Sequence, residues 1–124
     1  MLKKLFLAGT ALLLSGCNQV QEHRFKSAAH ASFEDALFDA PAARFRNERV
    51  VSGDKSGSVV LCGEVNAKNR VGAYVGWQRF VVEGLVDGMN KPLVLTPLIE
   101  DAEGPLNAMF QQRQRRFCDK ADQR

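Results

Sequence analysis

Ser58-Val59-Val60-Leu61-Cys62-Gly63-Glu64-Val65-Asn66-Ala67-Lys68-Asn69-Arg70-Val71-Gly72-Ala73-Tyr74-Val75-Gly76-Trp77-Gln78-Arg79-Phe80-Val81-Val82 is the stretch that decides the fold. Ser58 to Val65 is apolar on both faces, as a central strand is. Tyr74 to Leu85 carries Tyr74, Val75, Trp77, Phe80, Val81 and Val82. These β-branched and aromatic residues suit a pleated, half-buried surface. Between the two runs, Asn66 to Gly72 reads as a connecting loop. Asparagines bond backbone groups in tight loops, and Gly72 and Gly76 permit positive φ or the close approach of another backbone. Lys68 and Arg70 then lie at the tip, with Tyr74 and Trp77 flanking it.

Outward from this pair, Ser52 to Gly57 is a turn by composition, and Arg44 to Val51 before it reads as a first strand. On the other side Asp87-Gly88-Met89-Asn90 makes a further turn. Lys91 to Pro97 reads as a short fourth strand, at an edge because Pro92 and Pro97 cannot donate to a ladder. Upstream, Phe33, Ala36, Leu37 and Ala40 share one face at helical spacing. They predict a helix from about Ala29 to Ala40, with Ser32 and Asp35 as a capping signal and Pro41 as its stop. Downstream, Gly104-Pro105 starts a second helix. Its stripe of Leu106, Met109, Phe110 and Phe117 is expected to pack on the sheet, with Arg113 laying its stem alongside. The expectation is a single α+β domain over residues 29–124. It has a small antiparallel sheet of about four strands in the order α-β-β-β-β-α.

The amino terminus is organised differently. Lys3 and Lys4 precede the apolar run Leu5 to Leu14, and Leu14-Ser15-Gly16-Cys17 follows. A basic start, a short apolar core and small residues before the cut describe a secretory signal, too short to span a bilayer as a permanent helix. Its end resembles the lipobox of bacterial lipoproteins. The resemblance implies that residues 1–16 are a signal peptide and that Cys17 becomes a lipidated amino terminus. It would carry a thioether-linked diacylglycerol and usually an amide-linked acyl chain. One chain binds a membrane only marginally, at about 0.8 kcal/mol per buried methylene, whereas two or three anchor it durably. Asn18 stands where an aspartate often marks inner-membrane retention, which favours the outer membrane, facing the periplasm. Residues 17–28 are mostly polar and predict a flexible tether, about 15–20 Å long as a random coil, with His23 solvated in it.

Removing residues 1–16 leaves 124 − 16 = 108 residues, enough for one domain with a modest core. The signal holds two lysines and no acid, so the mature balance is 17 − 2 = 15 basic against 14 acidic side chains. Such a balance makes no case for nucleic acid. With Cys17 lipidated, Cys62 and Cys118 remain, and two cysteines in an exported chain read as a disulfide. Closing that loop contributes about 4 kcal/mol in the chain-entropy account. The competing reading is a catalytic Cys62 with a histidine, but His23 and His30 are the only two and both lie in or near the tether. No Cys or His pair has metal-ligand spacing, and no cofactor is implied.

Cys62-Gly63 together with Val65, Asn66, Lys68, Asn69, Gly72, Tyr74, Gly76, Trp77 and Phe80 follows the pattern C-G-x-V-N-x-K-N-x-x-G-x-Y-x-G-aromatic-x-x-F. This resembles a family of small, uncharacterised bacterial envelope proteins. Upstream the family's D-P-x-S-x-x-F is matched loosely: Pro41 is kept, Ala40 and Ala43 stand at the Asp and Ser positions, and Phe45 lies two residues after Ala43 instead of three. The resemblance covers about residues 32–82 and implies no activity.

Two readings stand for Asn66, Lys68, Asn69, Arg70, Tyr74 and Trp77. They hold a strand connection, with Lys68 solvated or paired to Glu64, or they form a recognition patch for a protein, glycan or peptide. No P-loop follows Gly53 to Gly57, and neither a Gly-x-Ser-x-Gly nor a His-Glu-x-x-His motif occurs. Glu64, Glu83 and Asp87 are the carboxylates that catalysis would need, but the pattern does not predict an enzyme. Arg113, Arg115, Arg116, Lys120 and Arg124 make a basic end that complements a helix dipole or meets anionic headgroups or peptidoglycan carboxylates. The sequence therefore predicts a lipid-anchored cell-envelope protein with a structural or partner-binding role, its partner an envelope protein or peptidoglycan. The alternative is a small inhibitor or phage-exclusion lipoprotein acting on an envelope hydrolase or receptor.

Overall fold

The computed structural model of the chain describes residues 9–86 and 91–120, residues 9–18 as backbone. Helix α1 spans Gly9–Ala31, and 3₁₀ turns follow at Ser32–Glu34 and Ala40–Ala42. Strands β1 (Arg44–Ser52), β2 (Ser58–Lys68) and β3 (Tyr74–Leu85) come next, then the two-residue strands β4 (Leu93–Val94) and β5 (Leu98–Ile99). Helix α2 (Asn107–Arg113) runs into a π-helical segment, Gln114–Asp119. All pairings are antiparallel, in the order β1-β2-β3, with β4 and β5 both on the outer edge of β3. The chain is thus α+β, as its pattern indicates.

β2 lies between two partners, and that explains its composition. Successive side chains on a strand point to opposite faces, so a strand covered on both sides is apolar throughout. Leu61 and Val65, with Phe80 and Val82 of β3, pack under Phe25 and Ala29 of α1 and under Phe33. Val60, Cys62 and Val81 pack on the other face under Phe110, Phe117 and Cys118. Cys62 and Cys118 form a disulfide, their Cα atoms 5.8 Å apart, which ties the π-helical segment to the centre of the sheet. Gly84 lets the layers close: a Cβ there would come within 2.4 Å of the Leu93 carbonyl oxygen and 2.6 Å of the Phe25 ring.

The sheet has two distinct ends. At one, the turn end, the β1–β2 connection meets Ser58 and Leu85, which are partners across β2 and β3. At the other, the hairpin end, β2 turns into β3 between Lys68 and Tyr74. Gln21, Glu22 and Phe25 of α1 border Ser52, Val59 and Val86 near the turn end. His30 stacks on Phe45 toward the hairpin end, with ring centroids 4.2 Å apart. α1 therefore travels from the turn end toward the hairpin end.

Several expectations are corrected. Residues 18–28 are not a flexible tether; they belong to α1, with Phe25 and Ala29 fully buried. Phe25, Ala29 and Phe33 recur every fourth residue, and Gln21, Glu22, Arg24, Lys26, Ala28 and Ala31 around them are good helix formers. The polar character of the segment hid a one-sided stripe. His23 is exposed, but on a helix. The helix expected to run to Ala40 instead ends at Ala31, because Ser32 turns its hydroxyl back to the Ala29 carbonyl and donates to it. Pro41 lies inside the second 3₁₀ turn. Of the strand expected over Lys91 to Pro97 only Leu93–Val94 forms, as β4; Pro97 is buried, and a further short strand, β5, follows it. Leu106 and Met109 do not bury; of the expected stripe, Phe110 and Phe117 do. The turn expected at residues 87–90 and the basic Arg124 lie outside the described residues. Among the described residues no helix is long and apolar enough to cross a membrane.

Candidate functional site

The hairpin end begins with its own internal order. Asn69 N–H donates to the Ala73 carbonyl at 2.8 Å, and its side-chain oxygen accepts from Val71 and Ala73 N–H, each at 3.1 Å. This Asx-type closure needs Gly72 at φ 81°, in the left-handed region. Asn66 bridges the irregularity that follows: its Oδ1 accepts from Gly76 N–H at 3.0 Å, where the β2–β3 register shifts. Tyr74 Oη donates to the Ala42 carbonyl at 3.0 Å and pins the 3₁₀ turn against the hairpin. Asn66, Asn69 and Tyr74 thus hold the hairpin together, which favours the structural reading for these three. Val71 is left standing at the tip, 86% exposed.

Lys68, Arg70 and Trp77 take part in a different pattern. The Arg46 guanidinium lies 4.0 Å from the centroid of Trp77, and Arg44 lies 4.4 Å from that of Tyr74. Lys68 Nζ is 5.3 Å from the same Tyr74 ring, and Arg70 is 6.0 Å from Phe38, which is itself exposed. Lys68 is not paired to Glu64. That carboxylate accepts instead from Asn47 at 2.7 Å and from Arg46 at 3.1 Å. The Asn47 amide first, and the Arg46 guanidinium second, hold the Glu64 carboxyl below the usual carboxylate range. Asn47 reaches it because β1 bulges there, with Asn47 at φ 52°. A row away, Arg79 grips Glu100 through two bonds of 2.6 and 3.1 Å. This pairing lowers the pKa of Glu100 and raises that of Arg79.

The result is a sheet surface on which cations lie over aromatic rings. A guanidinium stacked by its face keeps its N–H edge for a bidentate carboxylate or phosphate. Arg46 and Arg79 are paired there with Glu64 and Glu100, while Arg44, Lys68 and Arg70 lie by the Tyr74 and Phe38 rings. The row borders a polar groove lined by Asn47, Arg49, Glu64, Arg79 and Gln114 beside the disulfide.

The remaining chemistry-bearing residues are dispersed. Glu83 faces Arg113 at 3.5 Å, away from Glu64's partners, and Asp87 lies outside the described residues. His30 meets the Glu48 carboxylate on the α1 side of the sheet, away from the disulfide-bonded Cys62. Among the described residues no group of three or more His, Cys, Asp or Glu could hold a metal ion. Arg44, Arg46, Asn47 and Arg79 were not singled out from the sequence, and Phe38, expected as a core or cover residue, is exposed. The alternation Arg44-Phe45-Arg46 in a strand was the available signal, since it sends both arginines to the face opposite Phe45. Compared with known proteins, the chain matches no family model, and no curated protein or solved structure is significantly similar to it.

Proposed function

We propose that this chain is a lipid-anchored cell-envelope protein that holds a cation-and-aromatic surface away from the membrane for an anionic envelope partner. Cys17 is the lipidated residue, and cleavage before it leaves α1 to begin at the anchor. The observation that carries the reading is the course of α1. It leads from Cys17 along the sheet toward the hairpin end, so the anchor and the Arg44–Arg46–Tyr74–Trp77 surface belong to opposite ends of the domain. A helix in place of a flexible tether makes that separation a fixed one. The mechanism is localisation plus recognition, with no bond made or broken. The partner that fits is a carboxylate-bearing envelope polymer such as peptidoglycan, or an acidic envelope protein.

Two measurements test it. Radiolabelled palmitate is expected to enter the product, and Cys17→Ser is expected to abolish both labelling and membrane retention; retention unchanged in that variant removes the anchor. Arg46→Ala with Trp77→Ala is expected to weaken co-sedimentation with purified peptidoglycan at least several-fold, the effect fading with salt. Equal sedimentation of parent and variant removes the surface.

A second reading rests on the hairpin tip. Val71 is presented by a loop already ordered through Asn69, and a preordered loop binds at lower entropic cost. That suits a blocking lipoprotein that inserts into the cleft of an envelope hydrolase or a phage receptor. Lysozyme inhibition, or phage resistance, that is lost in Val71→Asp would favour it.

A further inference from the structure

The turn end has a different chemistry from the hairpin end. Leu85 and Leu93 are cross-strand partners, and Leu95 follows, its N–H bonded to the Glu83 carbonyl at 2.9 Å. The three are 46%, 59% and 54% exposed. They wall one groove with Val59, Val60 and Phe117. Lys55 and Lys91 are exposed at the same end. Two acids that line the groove are paired, Asp54 with Arg116 at 2.9 Å and Glu83 with Arg113 at 3.5 Å. Neighbouring exposed leucines with cations beside them are the composition of a surface that meets lipid.

The course of the chain points to the same occupant. Phe25 of α1 seats on Gly84 at the same end of β3 as Leu85, which points to the opposite face. Cys17 precedes Phe25 by eight residues of one helix, about 12 Å of rise. An anchor at Cys17 therefore brings the bilayer to the end where the leucines are.

We propose that the turn end rests in the interfacial layer of the bilayer. Leu85, Leu93 and Leu95 lie among the upper acyl segments, and Lys55 and Lys91 lie at anionic headgroups. This rests on the lipidation of Cys17 and adds a second contact to it. The acyl chains hold the protein at the membrane; the leucine face fixes its orientation. β2 has 11 residues, so a docked sheet holds the hairpin tip up to about 35 Å from the lipid.

The chain has one tryptophan, Trp77, at the hairpin end, which supplies a built-in distal reporter. The test uses the full-length lipidated product, reconstituted into phosphatidylcholine vesicles containing phosphatidylglycerol and a doxyl-labelled lipid. Leu93→Trp and Leu95→Trp are each placed in a Trp77→Phe background; both positions are exposed, so the fold is retained. The new indoles are expected to be quenched several-fold more strongly than Trp77 in the parent, with a blue-shifted emission. Replacing phosphatidylglycerol by phosphatidylcholine is expected to reduce that quenching. If both reporters stay as unquenched as Trp77 while the protein floats with the vesicles, the docking is wrong and the anchor stands. A second copy of the chain covering the leucines would give the same unquenched result. If the parent takes up no palmitate and does not float, the anchor itself is wrong.

Discussion

The two faces of the sheet are held by different means. Against one lies a 23-residue helix. It delivers Phe25 and Ala29, and the 3₁₀ turn that follows it delivers Phe33, onto Leu61, Val65, Phe80 and Val82, with Phe33 edge-on to Phe80 at 5.0 Å and to Phe45 at 5.2 Å. Against the other lies a seven-residue helix with a π-helical extension. It leaves Leu106 and Met109 in solvent and contributes Phe110 and Phe117. Short helices are marginal without tertiary support. The long helix supplies its own by apolar burial; the short one has less to bury and is joined to the sheet covalently through Cys118. Each face therefore states what the other would need: more stripe, or a staple.

The comparison can be broken first at its aromatic side. Phe33→Ala removes a fully buried ring that touches two others and is expected to cost about 3–5 kcal/mol, read from the urea midpoint at constant slope. A cost under about 1 kcal/mol would mean that this face is not held by aromatic burial.

Reducing the Cys62–Cys118 bridge, or replacing both cysteines by alanine, is expected to cost about 2–4 kcal/mol. The more telling measurement is hydrogen exchange. Amides of residues 107–119 are expected to lose protection well before those of residues 25–33. Equal loss on both sides would show that the two faces do not differ in how they are held.

Gly84→Val probes the joint between α1, β3 and β4. Its side chain would meet the Leu93 carbonyl and the Phe25 ring, and about 1–3 kcal/mol is expected from overpacking. Gly76→Ala at the hairpin end is the paired control. A Cβ meets nothing there, and only the φ of 102° resists it, so a smaller loss is expected.

The smallest effect is electrostatic. The folded-state pKa values of Glu64 and Glu100 are lowered by Asn47 and Arg46, and by Arg79. Their contribution is therefore present above the ordinary carboxylate value of 4.5 and is lost as pH falls through the lowered values. Both pairs are partly exposed, so each is expected to be worth about 1 kcal/mol or less. Glu64→Gln with Glu100→Gln is expected to be less stable than the parent at pH 7 and to converge on it in acid. A gap that persists in acid would show that packing, not ionisation, is at work.

Much of this was legible in order and composition. Ser58 to Val65 read as a doubly covered strand because neither face of it is polar, and Tyr74 to Leu85 matches β3 residue for residue. The disulfide followed from two cysteines placed on a central strand and on a terminal helix. Phe25 was missed as a core residue because it is an isolated apolar side chain in the mostly polar stretch from Asn18 to Ser27, a pattern that composition averages away. The arginine–aromatic surface was missed for another reason. Arg46 and Trp77 are far apart along the chain, and neither residue signals the other.

The sequence by itself determined the three long strands and the cysteine pair, since periodicity, turn chemistry and residue spacing are local properties. Tertiary structure alone decided that Arg44 and Arg46 lie over Tyr74 and Trp77, and that the exposed leucines gather at the end from which α1 sets out. Those facts depend on the register of strands joined through a bulge at Asn47 and on the direction in which a helix crosses a sheet. Register and direction are fixed by how whole surfaces fit, which no single stretch of chain encodes.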